Sequence, residues 1–327
     1  MDYKAIKETL KNDLSRVDSV IGASLASDID LLDKTNKSIL SHSGKKLRPV
    51  LSLLSARACS GGFLTDDTVR YAAAAELLHN ATLLHDDVAD DSRQRRGMPT
   101  VMSLLGGRAS VLLGDFWLVK AMENILKGDN SSSQVIRIFA KTLSDLAEGE
   151  LLQLQKAETG DTTELDYYRI IYCKTASLFE ASMVSAAISV SASEEKKKAV
   201  RNYARILGTA FQIKDDILDY DGDHAIGKPV GNDLRERKIT LPLLGALANA
   251  GEDEAKEIRK MLCEIEEHPE YQTIIVEFVR ERGGIAYACS KLSEYVENAK
   301  IQLRPIGGGA DVAMLSDIAD FVSMRNS

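Results

Sequence analysis

The spacing of apolar residues is the feature that most constrains the fold of this chain, because it is helical wherever it is regular. Segments 71–87, 111–126, 134–157 and 201–220 are rich in alanine and leucine, and their apolar positions recur at helical intervals. No stretch alternates apolar and polar residues as a half-buried strand does. The prolines lie where helical runs would begin or end. The pattern predicts an all-α fold of about a dozen helices.

No linker divides the chain of 327 residues. The longest loop signal, at 221–233, mixes turn residues with charges, which is typical of a functional loop rather than a spacer. We therefore expect a single all-helical domain over residues 1–327.

Composition and charge exclude several classes of function. The net charge is −8 and no basic block occurs, so a dedicated nucleic-acid binder is not expected. No apolar run approaches about 20 residues, so no transmembrane segment is expected, and the N-terminal segment lacks the apolar core of a signal peptide. The four cysteines form no CxxC pair, which disfavours zinc modules and disulfide frameworks. These features predict a cytoplasmic protein.

Two acidic clusters repeat each other, HDDVAD at 85–90 and KDDILD at 214–219. Each follows an apolar helical run and lies near the expected end of that helix. Aspartates four residues apart share one helix face. The pairs with this spacing are Asp86 with Asp90, Asp87 with Asp91, and Asp215 with Asp219.

This placement of aspartates is unfavourable by itself. Carboxylates in a last turn oppose the helix dipole, and like charges four residues apart repel each other. A bound cation would offset both effects. Oxygen ligands without histidine or cysteine favour Mg²⁺, or Mn²⁺, over zinc. One cluster alone would fit a solvated acidic surface, and the repetition is what favours a metal site.

Basic segments accompany both clusters. RQRRG follows the first cluster, and GKPVGNDLRERK follows the second; a further basic turn, GKKLRP at 44–49, lies upstream. Guanidinium groups bind phosphate oxygens in pairs. Carboxylates, a divalent ion and several basic side chains together suit a polyanion such as a diphosphate.

These motifs together resemble the trans-type polyprenyl (isoprenyl) diphosphate synthases, in particular those making medium to long chains. The matching segments are GKKLRP (44–49), ELLHNATLLHDDVADDSRQRRG (76–97), LLGDFW (112–117), EGELLQL (148–154), KTASLF (174–179), FQIKDDILD (211–219) and GKPVGNDLRERKITLP (227–242). The resemblance implies an all-α bundle around a central cavity, with the two aspartate motifs facing each other across its mouth. It also implies a homodimer that contacts the membrane only transiently, during product release.

The resemblance assigns roles to the acidic residues. Asp86, Asp90 and Asp215 would coordinate about three Mg²⁺ ions that bridge to the allylic diphosphate. The supporting residues, acting through waters or hydrogen bonds, would be Asp87, Asp91, Asp216 and Asp219.

The resemblance also implies which residues hold the two substrates. The allylic diphosphate would be held by Arg95, Lys174 and Lys238, and isopentenyl diphosphate by Lys45, Arg48, His79 and Arg96. Thr175 and Gln212 would present oxygen dipoles to a developing carbocation, and Lys228 would help to cover the site. The implied reaction is ionisation of the allylic C–O bond, attack by the isopentenyl double bond and loss of a proton.

Small residues before the first aspartate motif bear on product length. In the family, the positions four and five residues before its first aspartate limit chain growth, and here these are Thr82 and Ala81. Leu78 lies lower on the helix, and Ala74 is about 18 Å below Asp86 at about 1.5 Å per residue. We therefore expect a product of about C35–C45. A short-chain farnesyl or geranylgeranyl diphosphate synthase is the alternative.

Two features depart from the family pattern. Arg237 stands where the family often has glycine, and three consecutive glycines at 307–309 predict a loosely docked last helix. Rival interpretations are a class I terpene cyclase, a non-catalytic subunit of a heteromeric synthase, and a helical metal-binding bundle. The intact basic motifs argue against a cyclase, which needs no second diphosphate site. The two complete aspartate motifs argue against a non-catalytic subunit. A metal-binding bundle would show more than the single Glu-x-x-His pair found here.

Overall fold

The computed structural model describes residues 2–42, 44–95, 97–128, 132–220 and 231–325, and of Ser132 the backbone alone. The α-helices of these ranges are α1 (Tyr3–Thr9), α2 (Lys11–Leu25), α3 (Asp30–Ser41), α4 (Leu47–Ser60), α5 (Asp66–Ala89), α6 (Val101–Leu105), α7 (Gly107–Leu126), α8 (Ser132–Thr159), α9 (Glu164–Ile171), α10 (Ser177–Ser189), α11 (Glu194–Tyr220), α12 (Asn232–Arg235), α13 (Leu241–Ala248), α14 (Glu252–Cys263), α15 (Tyr271–Glu281), α16 (Gly284–Gln302) and α17 (Ala310–Met324). The all-α prediction is confirmed.

Three short elements complete the described chain. A π-helical segment, Tyr172–Ala176, joins α9 to α10, and a 3₁₀ turn spans Arg304–Ile306. Strands β1 (Gln94–Arg95) and β2 (Met98–Pro99) form an antiparallel hairpin after α5. This hairpin is a small departure from the expected purely helical chain.

Helix α5 shows how the sequence sets its own boundaries. Thr65 and Thr68 form a reciprocal capping box at its start, and Asp66 and Asp67 complement the helix dipole in its first turn. Its interior is rich in alanine, which favours helix and leaves room for close packing. Helix α5 is therefore long and well anchored, and it delivers the first aspartate motif at its C-terminal end.

The chain forms two compact units. The first comprises Met1–Ala140, Ala181–Arg201 and Pro305–Leu315, and in it α5 packs against α2, α4 and α7. The Ser110 hydroxyl of α7 donates to the Leu84 carbonyl of α5 at 2.8 Å. The core side chains of these helices include Val50, Leu51, Leu54, Leu77, Leu78, Trp117, Ala121 and Ile125.

The second unit comprises Lys141–Glu180, Asn202–Arg304 and Ser316–Ser327. Helix α13 packs against α15 and α16, and its core includes Leu241, Ile275, Phe278, Val279, Ala288 and Leu292. In α17, Ile318, Ala319 and Val322 are fully buried, so the expectation of a loosely docked last helix is wrong. That the whole chain is one domain stays a prediction.

Two findings concern the setting of the protein. None of the described helices is long and apolar enough to cross a membrane. Cys59 and Cys173 are buried, Cys263 is half-buried and Cys289 is exposed.

Candidate active site

The first aspartate motif lies at the C-terminal end of α5, in the first unit. Asp86 is half-buried and Asp90 is exposed, and the Asp90 N–H donates to the Asp86 carbonyl at 2.8 Å. Helical geometry therefore continues as far as Asp90. The predicted pair of carboxylates one turn apart at a helix end is present.

The end of α5 is a Schellman-type turn. Asp91 adopts the left-handed region at φ +46°, the Ser92 N–H donates to the Asp87 carbonyl at 2.9 Å, and the Asp91 N–H donates to the Val88 carbonyl at 3.4 Å. Asp91 therefore lies outside the helix. The expectation that Asp87 and Asp91 form a second pair on one helix face is wrong, because the chain turns away before Asp91.

Asp87 is buried and paired with the β-hairpin. Arg95 on β1 donates through Nε to Asp87 Oδ1 at 2.8 Å. Burial raises the pKa of Asp87, and the Arg95 charge opposes this shift. The pair orients Arg95, a predicted diphosphate ligand, beside the first motif. Arg96, predicted to bind isopentenyl diphosphate, lies outside the described residues.

One face of α5 below Asp86 is accessible. His79 and Thr82 precede Asp86 by seven and four residues, and all three are half-buried. Leu78 and Ala81 are buried in the packed interior. Of the two positions predicted to limit product length, Thr82 therefore shares a face with the motif and Ala81 does not.

The basic turn at 44–49 leads into α4 of the same unit. Lys45 is exposed and Arg48 is half-buried. The Arg48 carbonyl accepts a hydrogen bond of 3.0 Å from the Ser182 hydroxyl of α10, and the Ser52 hydroxyl donates to the Ser182 carbonyl at 3.1 Å. The start of α4 is thereby fixed against α10.

In the second unit, the π-helical segment carries Lys174 and Thr175. Close packing surrounds it: a Cβ added to Gly208 of α11 would lie 2.6 Å from Ala176 Cα, and one added to Gly149 of α8 would lie 2.6 Å from Cys173 Cβ. Glycines at these two positions let three elements approach. A π-helical insertion changes which side chains face one direction, and such insertions are frequent at functional sites.

A chain of hydrogen bonds connects this segment to the second aspartate motif. Thr175 Oγ1 donates to Gln212 Oε1 at 2.7 Å, and Gln212 Nε2 donates to Asp216 Oδ1 at 2.9 Å. Tyr167 Oη donates to the other carboxylate oxygen, Asp216 Oδ2, at 2.6 Å. Thr175 and Gln212, predicted to act together, are brought together, and Asp216 orients Gln212 as a supporting residue.

The electrostatics of Asp216 follow from its burial. Asp216 is 3% exposed, and its pKa is raised to about 7 mainly by burial. The charges of Asp215 and Asp219 act in the same direction, whereas the hydrogen bonds from Tyr167 and Gln212 oppose the shift. Burial also raises the pKa of Asp219, and this shift is opposed by the hydrogen bonds that the N–H groups of Asn232 and Asp233 each donate to its carboxylate at 3.1 Å.

Arg325 is a partner of the second motif that the sequence did not suggest. Its Nη2 lies 2.7 Å from Asp215 Oδ1 and donates to the Phe211 carbonyl at 2.8 Å. Its guanidinium carbon lies 3.9 Å from the centroid of the Phe211 ring. A buried guanidinium from the end of the chain therefore neutralises and orients a predicted metal ligand.

The predicted lysines of this unit also have acidic neighbours. Lys174 Nζ lies 2.7 Å from Glu150 Oε1 and donates to Gln153 Oε1 at 2.9 Å. Both partners belong to the EGELLQL segment, which gives that motif a physical role. Lys238 Nζ pairs with Glu236. Lys228, predicted to cover the site, lies outside the described residues.

Arg237, which stands where the family often has glycine, has a backbone conformation that glycine favours. It adopts the left-handed region at φ +54°, where glycine is favoured, and its guanidinium lies 3.1 Å from Glu266. The backbone at this position is thus one that glycine adopts easily, and an ion pair accompanies the arginine that replaces it.

A divalent ion such as Mg²⁺ needs several oxygen ligands around it. Within the described ranges, no three His, Cys, Asp or Glu side chains lie close enough to hold a metal ion by themselves. Asp86 and Asp90 in the first unit, and Asp215 in the second, each offer carboxylate oxygens, which are the ligands that Mg²⁺ prefers. Asp216 and Asp219 accept hydrogen bonds from neighbouring groups of the protein, and their supporting roles stay a prediction.

Comparison with known proteins decides the family. The polyprenyl synthetase family model matches residues 29–279. This chain belongs to the polyprenyl synthetase family. Like its relatives, this polyprenyl synthetase is a prenyltransferase that elongates trans prenyl chains, and the family implies isopentenyl and allylic diphosphates as substrates. Polyprenyl synthetases use divalent metal ions.

Individual relatives support the assignment. Octaprenyl diphosphate synthase of Escherichia coli (strain K12) is 41% identical over 260 residues, covering 79% of each chain. The crystal structure of a decaprenyl diphosphate synthase from Rhodobacter capsulatus matches this polyprenyl synthetase with a TM-score of 0.92 at 34% identity, covering 100% of both chains. A polyprenyl synthase from Caulobacter crescentus, crystallised with calcium and isoprenyl diphosphate, matches with a TM-score of 0.91 at 33% identity, covering 100% of this chain and 98% of that one.

Proposed function

We propose that this polyprenyl synthetase condenses isopentenyl diphosphate with an allylic diphosphate by Mg²⁺-assisted ionisation, and makes a product of about C35–C45. The observation that carries the proposal is the face of α5 on which Asp86 and Asp90 lie at the helix end. Below them, the accessible side chains of that face include the small Thr82. A small side chain below the proposed metal-binding pair would leave room for a growing apolar chain.

The metal ligands in this proposal are Asp86, Asp90 and Asp215, with about three Mg²⁺ ions, or Mn²⁺, per site. Bound Mg²⁺ would stabilise the negative charge that develops on the leaving diphosphate. Arg95, Lys174 and Lys238 would bind that diphosphate, assisted by Lys228. The second substrate would be bound by Lys45, Arg48, His79 and Arg96.

Thr175 and Gln212 would stabilise the carbocation that forms when the allylic diphosphate ionises. Breaking the allylic C–O bond leaves both bonding electrons on the diphosphate and a cation on carbon. The Thr175 proton is committed to Gln212, so the hydroxyl presents lone pairs elsewhere. The isopentenyl double bond then forms the new C–C bond, and the proton lost from the adjacent carbon passes to the released diphosphate.

A homodimer is part of the proposal. Leu112, Val119 and Leu126 are spaced by seven residues along one face of α7, and they are 61%, 54% and 63% exposed. A second copy of this chain would remove that stripe from water. Leu112→Glu together with Val119→Glu should then convert a dimer to a monomer in sedimentation equilibrium, and an unchanged dimer would contradict this interface.

The cytoplasmic location and a transient membrane contact for product release stay predictions. The scattered cysteines, which form no CxxC pair, support a reducing location. Release of a long apolar chain into water is unfavourable, which supports a membrane contact at that step.

The proposed metal chemistry is tested by incorporation of labelled isopentenyl diphosphate with farnesyl diphosphate as primer. We expect turnover with Mg²⁺, its loss in excess EDTA, and its recovery when Mg²⁺ is restored. Asp90→Asn should raise the Mg²⁺ concentration needed for half-maximal rate, whereas Asp161→Asn, an exposed control, should not. Turnover that is indifferent to EDTA would overturn the proposal.

A further inference from the structure

The basic turn is held from its two N-terminal neighbours, α1 and α2. Tyr3 Oη, on α1, donates a 2.9 Å hydrogen bond to the Lys45 carbonyl. Lys46 Nζ lies 2.5 Å from Asp18 Oδ1, on α2. Two successive residues of the turn are therefore anchored, one through its backbone and one through its side chain.

The backbone of the turn needs such anchors. Lys46 adopts the left-handed region at φ +57°, which is unfavourable for a residue other than glycine. Lys46 immediately precedes α4, so its backbone conformation sets the direction in which the chain at Lys45 enters the helix. The Arg48 carbonyl is fixed separately by Ser182. Hydrogen bonds to the backbone therefore fix the chain both before Lys46, at Lys45, and after it, at Arg48.

The anchors differ in exposure, and only Tyr3 is buried. Tyr3 is 8% exposed, and the Lys46 side chain is 20% exposed against 47% for Asp18. Burial raises the pKa of Tyr3, and the charge of Glu76 on α5 acts in the same direction. Tyr3 therefore keeps its proton and remains a donor to Lys45 across the working pH range. Its proximity to Glu76 also brings the turn's anchor close to the part of α5 that carries His79.

We propose that Tyr3 and Asp18 are positioning residues for isopentenyl diphosphate, and that Lys46 is an anchor rather than a ligand. They preset the basic turn so that Lys45 and Arg48 meet the diphosphate without reordering of the turn on binding. The inference rests on the proposed function, in which Lys45 binds this substrate. The allylic diphosphate, which is bound by other residues, should not sense the anchors.

The test measures KM for each substrate, and the Kd of isopentenyl diphosphate by calorimetry, for Tyr3→Phe and Asp18→Asn. Loss of the Tyr3 hydrogen bond, or of the negative charge that pairs Asp18 with Lys46, should raise KM and Kd for isopentenyl diphosphate about fivefold, with kcat and the allylic KM within about twofold of wild type. Asp18→Glu should restore binding. Tyr287→Phe, which loses a hydroxyl bond to Glu164, and Glu8→Gln, which loses a surface pair with Lys11, are matched controls with no expected effect.

Lys46→Met separates an anchor from a ligand. If Lys46 only anchors the turn, Lys46→Met should match Asp18→Asn, and the double variant should be no weaker than either. A much larger loss in Lys46→Met than in Asp18→Asn would overturn its role as an anchor. Unchanged KM and Kd in both Tyr3→Phe and Asp18→Asn, alongside a large loss in Lys45→Ala, would overturn the inference alone. If Lys45→Ala also had no effect, the proposed substrate site would fall with it.

Discussion

Thr175 Oγ1 donates its proton to Gln212 Oε1 at 2.7 Å, and this bond joins the π-helical segment to α11. Gln212 is held in turn by Asp216, so the direction of the Thr175 hydroxyl is set before substrate arrives. Preorganised dipoles of this kind stabilise developing charge without reorganisation during the reaction.

Thr175→Val should therefore lower kcat about tenfold while both KM values change little, because the lost oxygen dipole acts on the ionising carbon. Steady-state kinetics with both substrates is the measurement. Thr209→Val is the matched control, since the Thr209 hydroxyl donates only to the Arg205 carbonyl of its own helix. Equal kcat for Thr175→Val and wild type would show that the hydroxyl does not face the carbocation.

The raised pKa of Asp216 predicts a pH dependence of stability in metal-free protein. An unfolded aspartate loses its proton near pH 3.9, whereas burial holds the pKa of Asp216 at about 7 in the folded state. Between these values the folded chain binds more protons, so the free energy of unfolding falls as pH rises. Asp216→Asn removes this penalty, and in EDTA its Tm relative to wild type should be higher at pH 8 than at pH 5. The Tm of Asp161→Asn relative to wild type should be the same at pH 5 and pH 8. A difference in Tm between Asp216→Asn and wild type that does not change with pH would contradict the raised pKa of Asp216.

Arg325→Met should destabilise the protein by about 1–3 kcal/mol, because Asp215 loses a charged hydrogen-bond partner and Phe211 loses a stacked guanidinium. Urea unfolding followed by circular dichroism measures the free energy. Arg325→Lys should recover only part of it, since an ammonium lacks the planar fork. Arg304→Met, at an exposed site, is the control, and equal losses in the two Met variants would refute a specific role for Arg325.

Thr82→Phe should shorten the product, because Thr82 shares an accessible face of α5 with Asp86. Ala81→Phe should act mainly on stability, at about 1–3 kcal/mol, since Ala81 is buried. Chromatography of the products and the Tm of each variant separate the two effects. Thr82→Ser should retain the wild-type length. Wild-type length in Thr82→Phe would show that the chain grows along another path.

The helices and the end of α5 were predictable, because apolar spacing and local capping act over a few residues. The predicted end of α11, at 221–222, lies outside the described residues. The exception, Asp91, depends on a turn whose left-handed residue is not glycine. Partners distant in sequence were not predictable: Tyr167 lies 49 residues from Asp216, and no local pattern marks either it or Arg325. The π-helical segment was also missed, because one extra residue in a turn is set by packing against glycines on other helices.

The most direct test of the central claim is the chain length of the product. The product is formed from labelled isopentenyl diphosphate and farnesyl diphosphate, and it is resolved by chain length after removal of the diphosphate. The proposed metal site at the end of α5, with a small accessible residue beneath it, predicts a distribution centred on about C35–C45. An exclusive C15 or C20 product would contradict the long-chain assignment, and a cyclised hydrocarbon formed without isopentenyl diphosphate would contradict chain elongation itself.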